Sequence, residues 1–137
     1  MKKLLGIITI VLLFLSNVNA NERENKLNNL FKQLKNSEAS SAVKIENKIW
    51  KIWSTHPSNN DKGLNLTKLL AQGSFLMSGK ELNKAYEIFS QIILTDPNWS
   101  EAWNKRATVL YLLGRYEQSQ KDIDEVLKLE KRHFGAL

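Results

Sequence analysis

The chain has 137 residues, a formal net charge of +6, and no cysteine. Lacking thiols, it has no disulfide framework, no thiolate metal site and no cysteine nucleophile, so its fold must rest on the core alone. Basic and acidic residues are interspersed along the whole length, with no long block of like charge and no nucleic-acid motif; the charge reads as a solvated surface and not as a nucleic-acid footprint.

Residues 1–20, MKKLLGIITIVLLFLSNVNA, begin with Lys2 and Lys3, continue with an apolar run over residues 4–15, and end with Val18 and Ala20 at the small-residue positions of an A-x-A-like cleavage site. This is the pattern of a secretory signal peptide. At about 1.5 Å per residue the apolar run spans roughly 18 Å, well short of the ~30 Å hydrocarbon core of a bilayer. The expectation is an exported, periplasmic protein cleaved after Ala20. The alternative is an uncleaved anchor, the one form in which this chain would touch a membrane. No cysteine follows the apolar run, which excludes a lipid-anchored export signal. Setting aside Lys2 and Lys3, the 117 residues that follow carry 18 basic and 14 acidic side chains, a net charge of +4. That length suffices for one ordinary core.

Apolar residues then recur with helical period almost everywhere. Leu27, Leu30, Phe31 and Leu34 predict a first helix that fades at Asn36 and Ser37. Ile45, Ile49, Ile52 and Trp53 predict a second, ended by His56-Pro57, because the residue before proline is pushed out of the helical region. SNNDKG, residues 58–63, is polar and has turn chemistry; residues 58–65 are therefore expected to be a linker. Third and fourth helices are predicted over 66–78 and 82–94, separated by Gly79 and closed by Asp96-Pro97. A fifth begins near Trp99, where Asn98 and Glu101 have capping-box spacing, and stops at Gly114. A sixth covers 116–129. No segment alternates with period two, so the expected class is all-α.

Self-comparison reveals a repeat. Ala85, Phe89, Ile92, Ile93 and Pro97, moved forward by 34, meet Ser119, Ile123, Val126, Leu127 and Lys131; moved back by 40 they meet Ile45, Ile49, Ile52, Trp53 and Pro57. This predicts three helix-turn-helix units: a divergent hairpin over 21–57, then units over 66–99 and 100–133.

A 34-residue helix-pair repeat resembles the tetratricopeptide repeat (TPR) family. The resemblance is most specific over 100–133, with Ala102-Trp103 opening the first helix, Ala107 at the small position where two helices touch, and Gly114 and Tyr116 at the turn. Ser119 stands at the family's usual alanine. In the preceding unit Leu69, Gly73, Leu76, Leu82, Ala85, Phe89 and Pro97 take the corresponding places. Two departures are apparent: Lys131 replaces the family's proline, and the turn glycine of the earlier unit stands one place early, at Gly79. The resemblance implies an α-solenoid of antiparallel helix pairs, in which Gly73 or Ala107 allows axes to approach to roughly 8–10 Å. Phe89, Ile123 or Tyr116 would fill the gap beside them, and Trp103 would wedge between its own pair and the preceding one.

The resemblance further implies a small exported bacterial TPR protein, without enzymatic activity or cofactor, that binds a protein or peptide on a concave surface lined by the first helix of each pair. The groove residues carried over are Leu70, Ser74 and Met77 from one unit, and Asn104, Lys105, Thr108 and Tyr111 from the next. Leu70 and Met77 have a second reading, as filler between units. The charged clamp by which some members hold a C-terminal carboxylate is not reproduced, since only Asn104 and Lys105 match it.

Other conspicuous residues have plain readings. Trp50 and Trp53 stand at helical spacing and read as core. His56 and His133 read as solvated loop residues, and Asp122, Asp124 and Glu125 as a solvated face interleaved with Lys121 and Lys128. No catalytic motif, phosphate loop or metal-ligand spacing is present, which leaves an exported hydrolase as the least favoured class. Ala136-Leu137 lies 34 residues beyond Ala102-Trp103, so residues 134–137 are expected either to begin a further repeat or to cap the last pair. If no helix covers the outer face of the sixth helix, that face and Leu129 would promote self-association; a self-assembling or envelope-complex subunit is thus the alternative to a binding module.

Overall fold

The computed structural model describes residues 21–137. The expected signal segment and its cleavage point lie outside the described residues. Within them every regular element is helical: α1 over 21–35, α2 Ala39–Trp53, α3 Asp61–Ser78, α4 Leu82–Thr95, α5 Ser100–Leu112 and α6 Tyr116–Leu129. A first compact unit runs to Asn60 and holds α1 and α2; a second, Asp61–Leu137, holds α3 to α6.

The first unit closes over Leu27 and Leu30 from α1 and over Ile45, Ile49 and Trp53 from α2, all buried. Trp50 meets Trp53 edge to face at 5.4 Å between ring centroids, and Phe31 meets Trp53 at 5.9 Å. Such aromatic pairs add about 0.5–1.5 kcal/mol beyond burial of their area. Arg23 donates to the Thr55 carbonyl at 3.1 Å and joins α1 to the turn after α2.

In the second unit short turns make sequential helices neighbours, so that α3 packs on α4, α4 on α5 and α5 on α6. Leu66, Leu70, Ala85, Phe89, Ile92, Trp99, Ala102 and Val109 form most of its core. Gly73 lets the Phe89 ring of α4 press directly against α3: a Cβ there would lie 2.5 Å from Phe89 Cε1 and 2.8 Å from Cζ. One repeat later Ala107 and Ile123 replace Gly73 and Phe89, a larger residue facing a smaller one. Ser119, at the alanine position, is buried and donates its hydroxyl to the Ala107 carbonyl at 2.8 Å, which removes the cost of an unpaired buried hydroxyl.

The period of 34 is written in the backbone itself. Glu81 N–H donates to Leu76 O and Lys80 N–H to Met77 O; Arg115 N–H donates to Leu110 O and Gly114 N–H to Tyr111 O, the same bonds 34 residues on. Both turns place their left-handed residue at the same register, Lys80 at φ 62° and Gly114 at φ 73°. The glycine of the earlier unit stands one place early, but the turn itself keeps its register. Gly79 is not the left-handed residue; Lys80 takes that conformation, which normally favours glycine.

Three further expectations change. α3 begins at Asp61, so most of the expected linker over 58–65 is helix: Asp61 supplies negative charge to the first turn, and Gly63 is buried within the helix. The Asn98/Glu101 capping box does not form. α5 starts at Ser100 without a side-chain cap, the Asn98 N–H is taken by Asp96 Oδ1 at 3.0 Å, and Glu101 is fully buried. Finally, Tyr116 does not fill an interhelical gap; it is 63% exposed.

Candidate functional site

The seven expected groove residues do not form one surface. Leu70 is buried in the core. Met77 packs against that core and is half-buried, and Ser74 turns its hydroxyl back to the Leu70 carbonyl at 2.8 Å. On α5, Asn104 is buried and donates to Glu101 Oε2 at 3.2 Å. Lys105 is half-buried with its ammonium 3.3 Å from Glu101 Oε1. Thr108, whose hydroxyl donates to the Asn104 carbonyl, and Tyr111 are exposed.

The accessible part of the α5 face is therefore its C-terminal end. Tyr111 and Tyr116 meet across the turn, ring centroids 5.3 Å apart at an interplanar angle of 62°. With Leu112 they expose three large apolar side chains, at 64%, 63% and 54%. Beside them Arg115 lies over the ring of Tyr86, 4.7 Å from its centroid, and donates to Gln118 Oε1. Amphipathic aromatics beside a cation are the side chains enriched where proteins meet.

Behind this surface runs a polar frame. Arg106 forks onto Asp122 with bonds of 2.7 and 2.8 Å and reaches Ser90 at 3.2 Å, so one guanidinium ties α4, α5 and α6 together. The bonds to Asp122 hold its pKa above the ordinary arginine value, against the opposing effect of burial. Its carbon also lies 5.0 Å from the Trp103 ring centroid and 5.8 Å from that of Tyr86. Asp122 is accordingly not part of a solvated acidic face, as its spacing had suggested; it is buried. Trp103 is half-buried and donates its indole N–H to the Pro97 carbonyl at 2.8 Å.

The reading of His133 is corrected as well. It is fully buried, its Nε2 2.9 Å from Oε2 of the equally buried Glu101, so the stretch after α6 returns to the N-terminal turn of α5. A signal for this existed: His133 stands 34 residues after Trp99, itself buried. Close by, burial pushes the Glu130 carboxyl up, but hydrogen bonds from the Arg132 side chain and backbone, with its charge, outweigh this and hold it below its ordinary value. The expected apolar outer face of α6 is not there either. Leu129 is exposed, yet Gln120, Lys121, Asp124 and Lys128, exposed along the same helix, are polar. Among the described residues no group of three or more His, Asp or Glu could hold a metal ion.

Stacked helix hairpins with a 34-residue backbone period, a glycine or alanine where the helices of each pair touch and a left-handed residue at each turn define a TPR-type solenoid. Comparison with known proteins agrees: 114 residues of the chain, 82% of it, are 36% identical to a TPR repeat-containing protein of Rhizobium etli. In repeat length, turn geometry and sequence the chain is thus similar to proteins of the TPR family. The match covers 53% of that relative, so the chain spans about half its length. No family model matches the chain, and no solved structure does.

Proposed function

We propose that the chain is an exported, non-enzymatic interaction module that binds a protein or peptide segment through the exposed end of α5. Similarity to a repeat family whose stacked helices present extended surfaces supports the general reading. The observation that carries the particular one is the Tyr111–Tyr116 pair with Leu112, exposed beside the Arg106–Asp122 frame that immobilises their helices. A rigid aromatic surface loses little conformational entropy on binding. Thr108, exposed about one turn before Tyr111 on α5, extends the surface. Export rests on the pattern of residues 1–20, and the periplasm is the compartment that pattern best fits.

The test is site-specific photocrosslinking in cells of the source organism, with the crosslinker at Tyr111 and, as control, at Lys121. A protein crosslinked only from position 111, which then binds the purified chain and loses at least tenfold in affinity with Tyr111→Ala, supports the reading. Equal labelling from both positions rejects it. Mass spectrometry of the envelope fraction tests export: a mature chain beginning at Asn21 is expected, and an intact Met1 start in the cytoplasm contradicts it.

A further inference from the structure

A second surface lies in the first unit, away from the residues of the aromatic pair in sequence and in the unit that carries it. Its lysines are scattered among acids in the sequence, but the hairpin gathers them. α1 and α2 enclose an open groove of about 930 Å³, near the upper end of the range for ligand clefts, roughly 300–1,000 Å³. Arg23 and Lys26 stand on its α1 wall, Lys48 and Lys51 on its α2 wall, and Glu22 is the one carboxylate among the lining residues. Leu30 and Ile52 contribute apolar surface between the two walls. Lys26, Lys48 and Lys51 are exposed, and no carboxylate of the described residues forms an ion pair with them.

We propose that this groove binds an acidic polypeptide segment in which carboxylates alternate with apolar side chains. Two facing basic walls demand a ligand with negative charge on both edges, and the apolar strip between them rewards side chains directed inward. The α1 wall runs from Glu22 to Gln33, roughly 17 Å at 1.5 Å per residue, the length of about five extended residues. A flat bilayer surface cannot follow cations directed into a groove from both sides. Residues 1–20 contain no Asp or Glu, so charge complementarity does not favour that segment as the occupant.

The experiment is fluorescence anisotropy of the full chain with a fluorescein-labelled eight-residue peptide of alternating Glu and Leu. Saturable binding is expected, weakened at least tenfold by Lys26→Gln with Lys48→Gln and Lys51→Gln, and less than twofold by the charge-matched set Lys68→Gln, Lys121→Gln and Lys131→Gln. All six lysines are exposed, and circular dichroism verifies that both variants fold. Binding should fall steeply between 50 mM and 500 mM salt, as the Debye length shrinks from roughly 14 to 4 Å. The peptide with Gln for Glu should not bind. The proposal is overturned if the acidic peptide does not bind, if both lysine sets weaken it equally, or if only phosphatidylglycerol vesicles bind in a groove-dependent way. Tyr111→Ala should leave peptide binding unchanged, so failure here and failure of the α5 surface are separately visible.

Discussion

A tight helix contact in the second unit offers a quantitative test, because the chain carries two solutions to the same packing problem. Gly73 faces Phe89, and 34 residues later Ala107 and Ile123 stand at the corresponding positions. In Gly73→Ala the new methyl meets a ring already fully buried, at 2.5 and 2.8 Å. Alanine gains about 1 kcal/mol of helix propensity over glycine, while overpacking costs about 1–3 kcal/mol. With the Phe89 ring walled in, the upper end applies, and the net expectation is a loss of about 2 kcal/mol. For a unit of this size that is roughly 8–16 °C in melting temperature. Phe89→Ile alone opens a void and should cost about 2 kcal/mol. The double variant recreates the pairing of the later repeat and should fall within about 1 kcal/mol of wild type, a coupling of roughly 3 kcal/mol where independent sites would add. Urea unfolding followed by circular dichroism measures all four corners of the cycle, with the m-value showing whether the denatured state changed. Additive losses, or a stabilising Gly73→Ala, would refute the reasoning.

The turns, the polar frame and the chain after α6 yield three more expectations. Lys80→Gly should stabilise by about 0.5–1 kcal/mol by relieving the left-handed strain, and Gly79→Ala should not destabilise, since its Cβ would meet only backbone at 3.5 Å or more; thermal melts giving the opposite order would place the turn glycine at 79 after all. Asp122→Ala leaves Arg106 half-buried without its forked partner, and a loss of about 2–3 kcal/mol is expected by chemical denaturation. Because hydrogen bonds and charge from Arg132 hold the folded Glu130 carboxyl below its ordinary value, the unfolded chain takes up the proton first as pH falls. The contribution of Glu130 is therefore complete above that value and lost as pH falls through the folded one. The stability difference between wild type and Glu130→Gln should be under about 1 kcal/mol near neutrality and vanish once the pH lies below the folded value; a difference that grows on acidification contradicts the assignment.

Helical period and the 34-residue repeat were legible because both rest on the spacing of apolar residues, which survives substitution of one aliphatic side chain for another. Ala85, Phe89, Ile92 and Ile93 occupy the core as their spacing implied. Polar residues were read less well. Asp122 looked like a surface carboxylate and Glu101 like a helix cap because spacing along one helix reveals nothing of a partner 16 or 32 residues away, and in the fold those partners are Arg106 and His133. The turn misled for a related reason: glycine marks the left-handed position only where selection has placed it there, and Lys80 tolerates the conformation at a modest energetic cost. Among the groove residues carried over from the family pattern, side-chain direction separates the buried from the accessible. Asn104 and Leu70 turn inward, while Thr108 and Tyr111 remain accessible. The basic groove of the first unit was invisible to a search for charge runs, since two helices separated by a turn supply its walls.

The most direct test of the binding surface is the affinity of the purified chain for the protein crosslinked at Tyr111, measured beside Tyr111→Ala and Asp122→Ala. The account predicts at least a tenfold loss for Tyr111→Ala with an unchanged melting temperature, and for Asp122→Ala a loss of stability as well as of affinity. Unchanged affinity in a folded Tyr111→Ala variant would contradict it.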